Sequence, residues 1–239
     1  MLGVILAGGK GTRLKPFTMT IPKPLLPVGD MPIVEVVIRQ MAAAGIKRIA
    51  LALGHMAPLF TAFVGDGSRW GVKVEYCFED EPLGTAGVLR LLSEPPEEIL
   101  VMNGDLLTTF DYGAFFATHR QAGACATIAL TRREIRVEYG VVVAKDSYLE
   151  EYHEKPTIHY EVSMGINLVS AQCIELIPQG RKFDMPDLLL SIRKHGNRVA
   201  CYHTDCYWKD IGIFEDYQKA SADFVEDPSR FLPKSVQTK

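Results

Sequence analysis

Just after an apolar run, Leu2 to Leu6, the sequence sets Gly8, Gly9 and Gly11 around Lys10, followed by Thr12, Arg13 and Leu14. Glycines carry no β-carbon, so backbone N–H groups in such a stretch approach an anion closely, and it reads as a phosphate-binding loop. Leu6, Ala7, Gly8, Gly9, Gly11 and Thr12 are the residues of this stretch expected to bind the nucleotide. Two familiar glycine loops are excluded by spacing. A P-loop needs Ser or Thr directly after Gly-Lys, where this chain has Gly11, and a dinucleotide fingerprint needs a third glycine where it has Leu14.

The loop runs on into Pro22-Lys23-Pro24. Further along stand Glu81-Pro82-Leu83-Gly84-Thr85-Ala86-Gly87, Asn103-Gly104-Asp105, Tyr139-Gly140-Val141-Val142, Glu154-Lys155-Pro156, Gly165-Ile166-Asn167 and Tyr207-Trp208-Lys209-Asp210-Ile211-Gly212. In this order the segments resemble the sugar-1-phosphate nucleotidyltransferases, or NDP-sugar pyrophosphorylases, with a likeness to mannose-1-phosphate and manno-heptose-1-phosphate guanylyltransferases. The likeness covers nearly the whole chain.

The resemblance implies an enzyme that moves a nucleoside monophosphate from an NTP to a hexose or heptose 1-phosphate and releases pyrophosphate. An anionic sugar-phosphate oxygen would attack the α-phosphorus, so the need is for positioning and charge neutralisation rather than for a general base. Matched residue by residue, Arg13 and Lys23 are the implied cations beside the triphosphate, and Asp105 acts with them. Asp105 and Asp210 are the implied Mg2+ carboxylates, an ion that takes one or two carboxylates together with phosphate oxygens and water. Gly84, Thr85 and Gly104 join the nucleotide site, while Tyr139, Gly140, Glu154, Lys155 and Asn167 are implied at the sugar phosphate. Glu79, five residues before Gly84, is implied to read the base. An ionised Glu only accepts hydrogen bonds, and guanine offers two adjacent donors, so GTP is the expected nucleotide, with UTP or dTTP as the alternative.

Two other readings remain. A catalytically silent sugar-nucleotide-binding regulatory subunit should have lost Arg13, Lys23, Asp105 or Asp210, and all are present. A transferase for a non-sugar acceptor would lack the combined Glu-Lys-Pro and Trp-x-Asp-Ile-Gly segments. The chain departs from the family in carrying Lys209 where an apolar residue is usual. It also ends without the hexapeptide-repeat helix of many relatives, so no second acyltransferase activity is expected.

The elements that must position these residues follow from periodicity. Leu2 to Leu6, Arg48 to Leu53, Val72 to Phe78 and Ile99 to Met102 read as strands, alternating with helices over Met31 to Ala44, Pro58 to Val64 and Thr85 to Leu92. The alternation predicts an α/β fold: a Rossmann-like, doubly wound, mostly parallel but mixed sheet flanked by helices, of the nucleotide-diphospho-sugar transferase type. Ligand then lies at the carboxyl ends of the strands. After Ala124 the spacing is closer, with strands over Ala126 to Leu130, Gly140 to Val143, Tyr148 to His153, Val162 to Val169 and Arg198 to His203. Helices are expected over Met185 to Lys194 and Phe214 to Val225. Residues 1–225 form one expected domain, and residues 226–239 an expected frayed tail.

With 26 Lys and Arg against 29 Asp and Glu, the net charge of −3 gives no general attraction to nucleic acid or to a membrane surface. No apolar run approaches a membrane span, and the opening residues read as a strand rather than a signal peptide, so the cytoplasm is the expected location. The five cysteines are odd in number and mostly sit in apolar runs, as reduced core thiols do. Cys201, His203 and Cys206 lack the paired spacings of a structural zinc site and read as ordinary residues around a strand. The implied partners are an NTP and a sugar 1-phosphate; a homo-oligomer is compatible with everything above.

Overall fold

A computed structural model describes residues 1–233. Its strands are β1 (Leu2–Leu6), β2 (Pro27–Val28), β3 (Met31–Pro32), β4 (Arg48–Leu53), β5 (Lys73–Phe78), β6 (Glu98–Asn103) and β7 (Leu106–Thr108). They continue as β8 (Ala126–Arg136), β9 (Val141–Lys145), β10 (Tyr148–His153), β11 (Thr157–Ser170), β12 (Val199–His203) and β13 (Trp208–Asp210). The helices are α1 (Ile33–Ala43), α2 (Ala57–Val64), α3 (Gly84–Gly87), α4 (Tyr112–Ala122), α5 (Met185–Lys194) and α6 (Phe214–Glu226).

Seven strands form one sheet in the order β12-β8-β11-β6-β1-β4-β5. β5, β4, β1 and β6 run parallel, β11 is antiparallel to both its neighbours, and β12 is parallel to β8. The expected mixed, mostly parallel sheet is present. Winding proceeds from β1 outward through β4 to β5, then returns across β1 to β6, so the crevice where winding reverses lies between β1 and β6.

Alternation along the strands sorts side chains onto two faces. Ile5, Leu51, Leu53, Leu100 and Met102 pack under α1, α2 and α4, while Leu2, Val4, Ala52, Ile99 and Val101 pack under α3 and α5. Each fully buried aliphatic side chain contributes roughly 1.5 to 3 kcal/mol. A third cluster joins Leu14, Leu26, Leu107 and Ile211 to Phe224 of α6 and to Phe231. That cluster braces the loops on either side of the crevice.

Several elements differ from the expected pattern. Helix α4 lies where none is expected, capped by Asp111, whose carboxylate accepts from the Ala114 N–H at 2.9 Å. The expected helix over Thr85 to Leu92 is one α-turn followed by a 3-10 segment, because α3 docks edge-on to the segment before α5 through the Phe183 carbonyl. Strands β8 and β11 extend well beyond their expected apolar cores, and their exposed halves project with the β9–β10 hairpin from the main body. Of the tail expected to fray, residues 226–233 are described: Phe231 is 2% exposed and stacks on Phe224. Residues 234–239 lie outside the described residues.

Candidate functional site

The crevice at the carboxyl ends of β1, β4, β5 and β6 is a cleft of about 410 Å³. Its wall includes Leu6, Ala7, Gly8, Gly9, Gly11, Thr12, Arg13, Lys23, Glu79, Gly84, Thr85 and Asp105, which the sequence assigned to nucleotide and catalysis. Pro24, Ala52, Pro82, Asn103 and Gly212 complete it.

The glycine loop owes its shape to Gly11, whose φ of +58° is left-handed and strained for other residues. The Gly11 carbonyl accepts from the Thr18 hydroxyl at 2.7 Å and from the Leu14 N–H at 3.0 Å. Leu14 is buried, so Thr12 and Arg13 are held out between two anchors. At the other side, the Gly104 N–H donates to the Leu6 carbonyl at 2.9 Å. A β-carbon on Gly104 would come within 2.9 Å of Ile5 Cγ2 and 3.0 Å of that carbonyl. Gly104 therefore lines no cleft surface itself but lets Asp105 approach the glycine loop.

Lys23 sits between two carboxylates drawn from distant parts of the chain. Its ammonium pairs with Asp105 Oδ2 and stands 3.4 Å from Asp210 Oδ1. Strand pairing explains the convergence: β13 is antiparallel to β7 with Asp210 opposite Leu106, and the Ile211 N–H donates to the Asp105 carbonyl at 3.1 Å. Lys23 is 8% exposed. Burial raises the Asp105 pKa, and the Lys23 ammonium opposes that shift. Lys209 points away from this group to pair with Asp216 at 3.4 Å, so the unusual cation is neutralised elsewhere.

Of the acidic run Glu79-Asp80-Glu81, Glu79 is the member in the cleft wall. Its Oε2 lies 3.1 Å from where a β-carbon of Gly8 would stand. Burial raises the Glu79 pKa, offset in part by a hydrogen bond from the Leu83 backbone. Thr85 is fixed from α5: its N–H donates to Asp184 Oδ1 at 3.0 Å, and its hydroxyl accepts from the Met185 N–H at 2.7 Å. Asp184 also forms a capping box with Asp187, and the Thr85 N–H holds its carboxyl below the usual range. Sequence reading missed Asp184 as a support for the site. The available signal was its place three residues before Asp187 at a helix start.

The residues implied at the sugar phosphate do not line the cleft. Tyr139, Glu154 and Lys155 are exposed around the β9–β10 hairpin. Gly140 lies against Tyr152, where a β-carbon would collide with the phenol oxygen, and the Tyr152 hydroxyl donates to Glu154 Oε2 at 3.0 Å. Lys155 has a left-handed φ of +44°. Asn167 is buried in β11 at 5% exposure, and its Oδ1 has no hydrogen-bond partner among the described residues. Among those residues no group of three or more His, Cys, Asp and Glu could hold a metal, and Cys201 and His203 lie on β12. No helix among them is long and apolar enough to cross a membrane.

The chain is 32% identical over 93% of its length to a mannose-1-phosphate guanylyltransferase of Mycobacterium tuberculosis. It is 33% identical over 92% of its length to a UTP–glucose-1-phosphate uridylyltransferase of Synechocystis. These matches span 64% and 62% of the two relatives, so the chain corresponds to under two thirds of each. Among solved structures, HddC from Yersinia pseudotuberculosis complexed with GMP-PN superposes with a TM-score of 0.70 at 27% identity, covering 93% of this chain and 99% of that one. The nucleotidyl transferase family model matches residues 2–227. Asp210 does not line the cleft itself but reaches its edge through Lys23. With the glycine loop, the winding reversal and the Lys23–Asp105 pair in one cleft, the chain belongs to the nucleotidyl transferase family.

Proposed function

We propose that the protein transfers a nucleoside monophosphate from an NTP to a sugar 1-phosphate, releasing pyrophosphate, and that the NTP is GTP. The observation that carries the reaction class is the cleft where a glycine loop meets Lys23 held between Asp105 and Asp210. Named relatives in guanylyl and uridylyl transfer to sugar phosphates support it.

The donor set at Asp105 and Asp210 fits Mg2+, since two carboxylates leave the other coordination positions to phosphate oxygens and water. When bound, the ion would supply positive charge to the reacting phosphate. The chain's own groups do the rest. Backbone N–H groups of the loop around Gly8, Gly9 and Gly11 hold the phosphates, and Arg13 and Lys23 neutralise charge on the α-phosphate and the departing pyrophosphate. One P–O bond forms from the sugar phosphate and one breaks to pyrophosphate, with no proton to move. Tyr139, Gly140, Glu154, Lys155 and Asn167 are assigned to the sugar phosphate, with Tyr152 packed between Gly140 and Glu154, which requires the hairpin and cleft to act on one substrate.

Glu79 favours guanine because a carboxylate accepts from N1–H and N2–H₂ together, whereas uracil would turn carbonyl oxygens toward it. Hydrogen bonds to a charged group contribute about 1.5 to 3 kcal/mol each. The uridylyltransferase relative keeps UTP as the second reading. A matrix of GTP, UTP, dTTP, ATP and CTP against mannose, glucose, glucosamine and manno-heptose 1-phosphates, scored by pyrophosphate release, tests both levels. Release with GTP and one sugar is expected; release with no combination overturns the reaction class.

A further inference from the structure

The Asp105–Lys23–Asp210 group holds three charges within one contact shell. Lys23 Nζ touches Asp105 Oδ2 and lies 3.4 Å from Asp210 Oδ1, so a buried ammonium already occupies the space between the two carboxylates assigned to metal. A divalent ion and this ammonium cannot both lie between the same oxygens. Asp105 is the more buried carboxylate, with a side chain 22% exposed against 43% for Asp210, and leaving it unpaired is costly, so a cation beside Asp105 is favoured. Asp105 and Asp210 are short side chains on backbone paired through β7 and β13, whereas the four-carbon stem of Lys23 can redirect its ammonium by rotation about its own bonds. Lys23 is the partner with that reach.

We propose that Lys23 is an internal counter-cation of the metal site, displaced when metal binds and thereby released toward the triphosphate. The inference rests on the assignment of Asp105 and Asp210 to metal. Lys23 then does two things in sequence. Before substrate arrives it neutralises the carboxylates and holds the β7–β13 pair against the glycine loop. As metal takes over the carboxylates, Lys23 Nζ swings to the nearest other anion, the phosphate chain lying along Gly8 to Arg13 in the same cleft. Metal affinity is consequently low in the nucleotide-free protein. Nucleotide raises it by giving the ammonium a new partner, and by linkage metal raises nucleotide affinity by the same factor.

The test measures Mn2+ binding without nucleotide, from the electron paramagnetic resonance signal of free Mn2+, in wild type, Lys23→Met and Asp105→Asn. Removing a unit positive charge from contact distance of the site should tighten Mn2+ binding in Lys23→Met by about tenfold or more. Equal or weaker binding by a folded Lys23→Met overturns the proposal. Asp105→Asn should weaken binding; if it leaves Mn2+ affinity unchanged, the metal assignment itself fails, a different outcome from failure of the exchange. Should Lys23→Met not fold, trace acetylation of wild-type Lys23 read by peptide mass spectrometry decides. Saturating Mn2+ should raise its acetylation rate several-fold, and an unchanged rate overturns the exchange.

Discussion

The guanidinium of Arg13 lies along the backbone of Gly212, with its nitrogens 3.4 and 3.5 Å from where a β-carbon would stand. The catalytic cation assigned from the N-terminal loop is thus seated against the residue two positions after Asp210. An alanine methyl would fit at that distance, but a branched side chain would push the guanidinium aside.

Arg13→Ala is expected to lower kcat by about 10² to 10³, the typical loss for one preorganised donor to developing charge. Gly212→Val should reproduce much of that loss, and Gly212→Ala little of it. Lys155→Ala should instead raise KM for the sugar 1-phosphate first. Steady-state kinetics with pyrophosphate detection distinguishes them, and the reverse pattern would overturn the division between the two ends of the site.

Asp105→Asn and Asp210→Asn are each expected to remove most turnover while keeping the fold, because each changes little volume, although Asp105→Asn also lowers stability by stripping the buried Lys23 ammonium of its nearer partner. Circular dichroism and turnover over a Mg2+ titration check this. Near wild-type activity in either purified variant excludes that residue from the site.

Glu79→Gln should shift kcat/KM from GTP toward UTP or dTTP by one or more factors of ten. Because burial raises the Glu79 pKa, the carboxyl takes up its proton at a higher pH than an exposed Glu. Falling pH should therefore weaken GTP recognition as Glu79 becomes a donor, and Glu79→Gln should lack this acid limb. A wild-type preference for UTP, or a GTP preference indifferent to the substitution, would sink the assignment.

Asp184→Ala should destabilise the fold by about 0.5 to 2 kcal/mol through loss of a helix cap, and should raise KM for nucleotide by freeing Thr85. The Thr85 N–H depresses the Asp184 pKa, so its stabilisation is present above the ordinary value of 3.8 and is lost as pH falls through the lower folded value. Melting temperatures between neutral and strongly acid pH should converge for the two proteins.

Strands β1, β4 and β6 were legible because each buries both faces and reads as an apolar run, whereas edge strand β5, with Lys73 and Phe78 exposed, was legible from its strand-favouring Val, Tyr and Phe. Loop glycines and Glu79 sit at those strand ends, which is why the nucleotide end of the site could be read from local sequence. Helix α4 escaped notice, although Tyr112, Phe115, Phe116 and His119 line its buried side at helical spacing between Asp111 and Gly123. Its aromatic residues mask the period by fitting a strand equally well. The exposed half of β8 carries Arg132, Arg133, Glu134 and Arg136 and that of β11 carries His159, Tyr160 and Glu161, and no core-facing alternation marks where they end. What the sequence could not supply was contact across the chain: the Lys23 ion pairs with Asp105 and Asp210, the Asp184 support of Thr85, and Tyr152 beside Gly140. Each depends on which loops the sheet brings together rather than on neighbouring residues.

The partners Lys23 and Asp210 are separated by 187 positions. Leu14, at the end of the glycine loop, shares one apolar cluster with Ile211, Phe224 and Phe231. The loop that opens the chain and the segment that carries Asp210 are therefore braced by the same packing. Early and late parts of the sequence settle into place together, and a fragment lacking β13 would leave Leu14 uncovered.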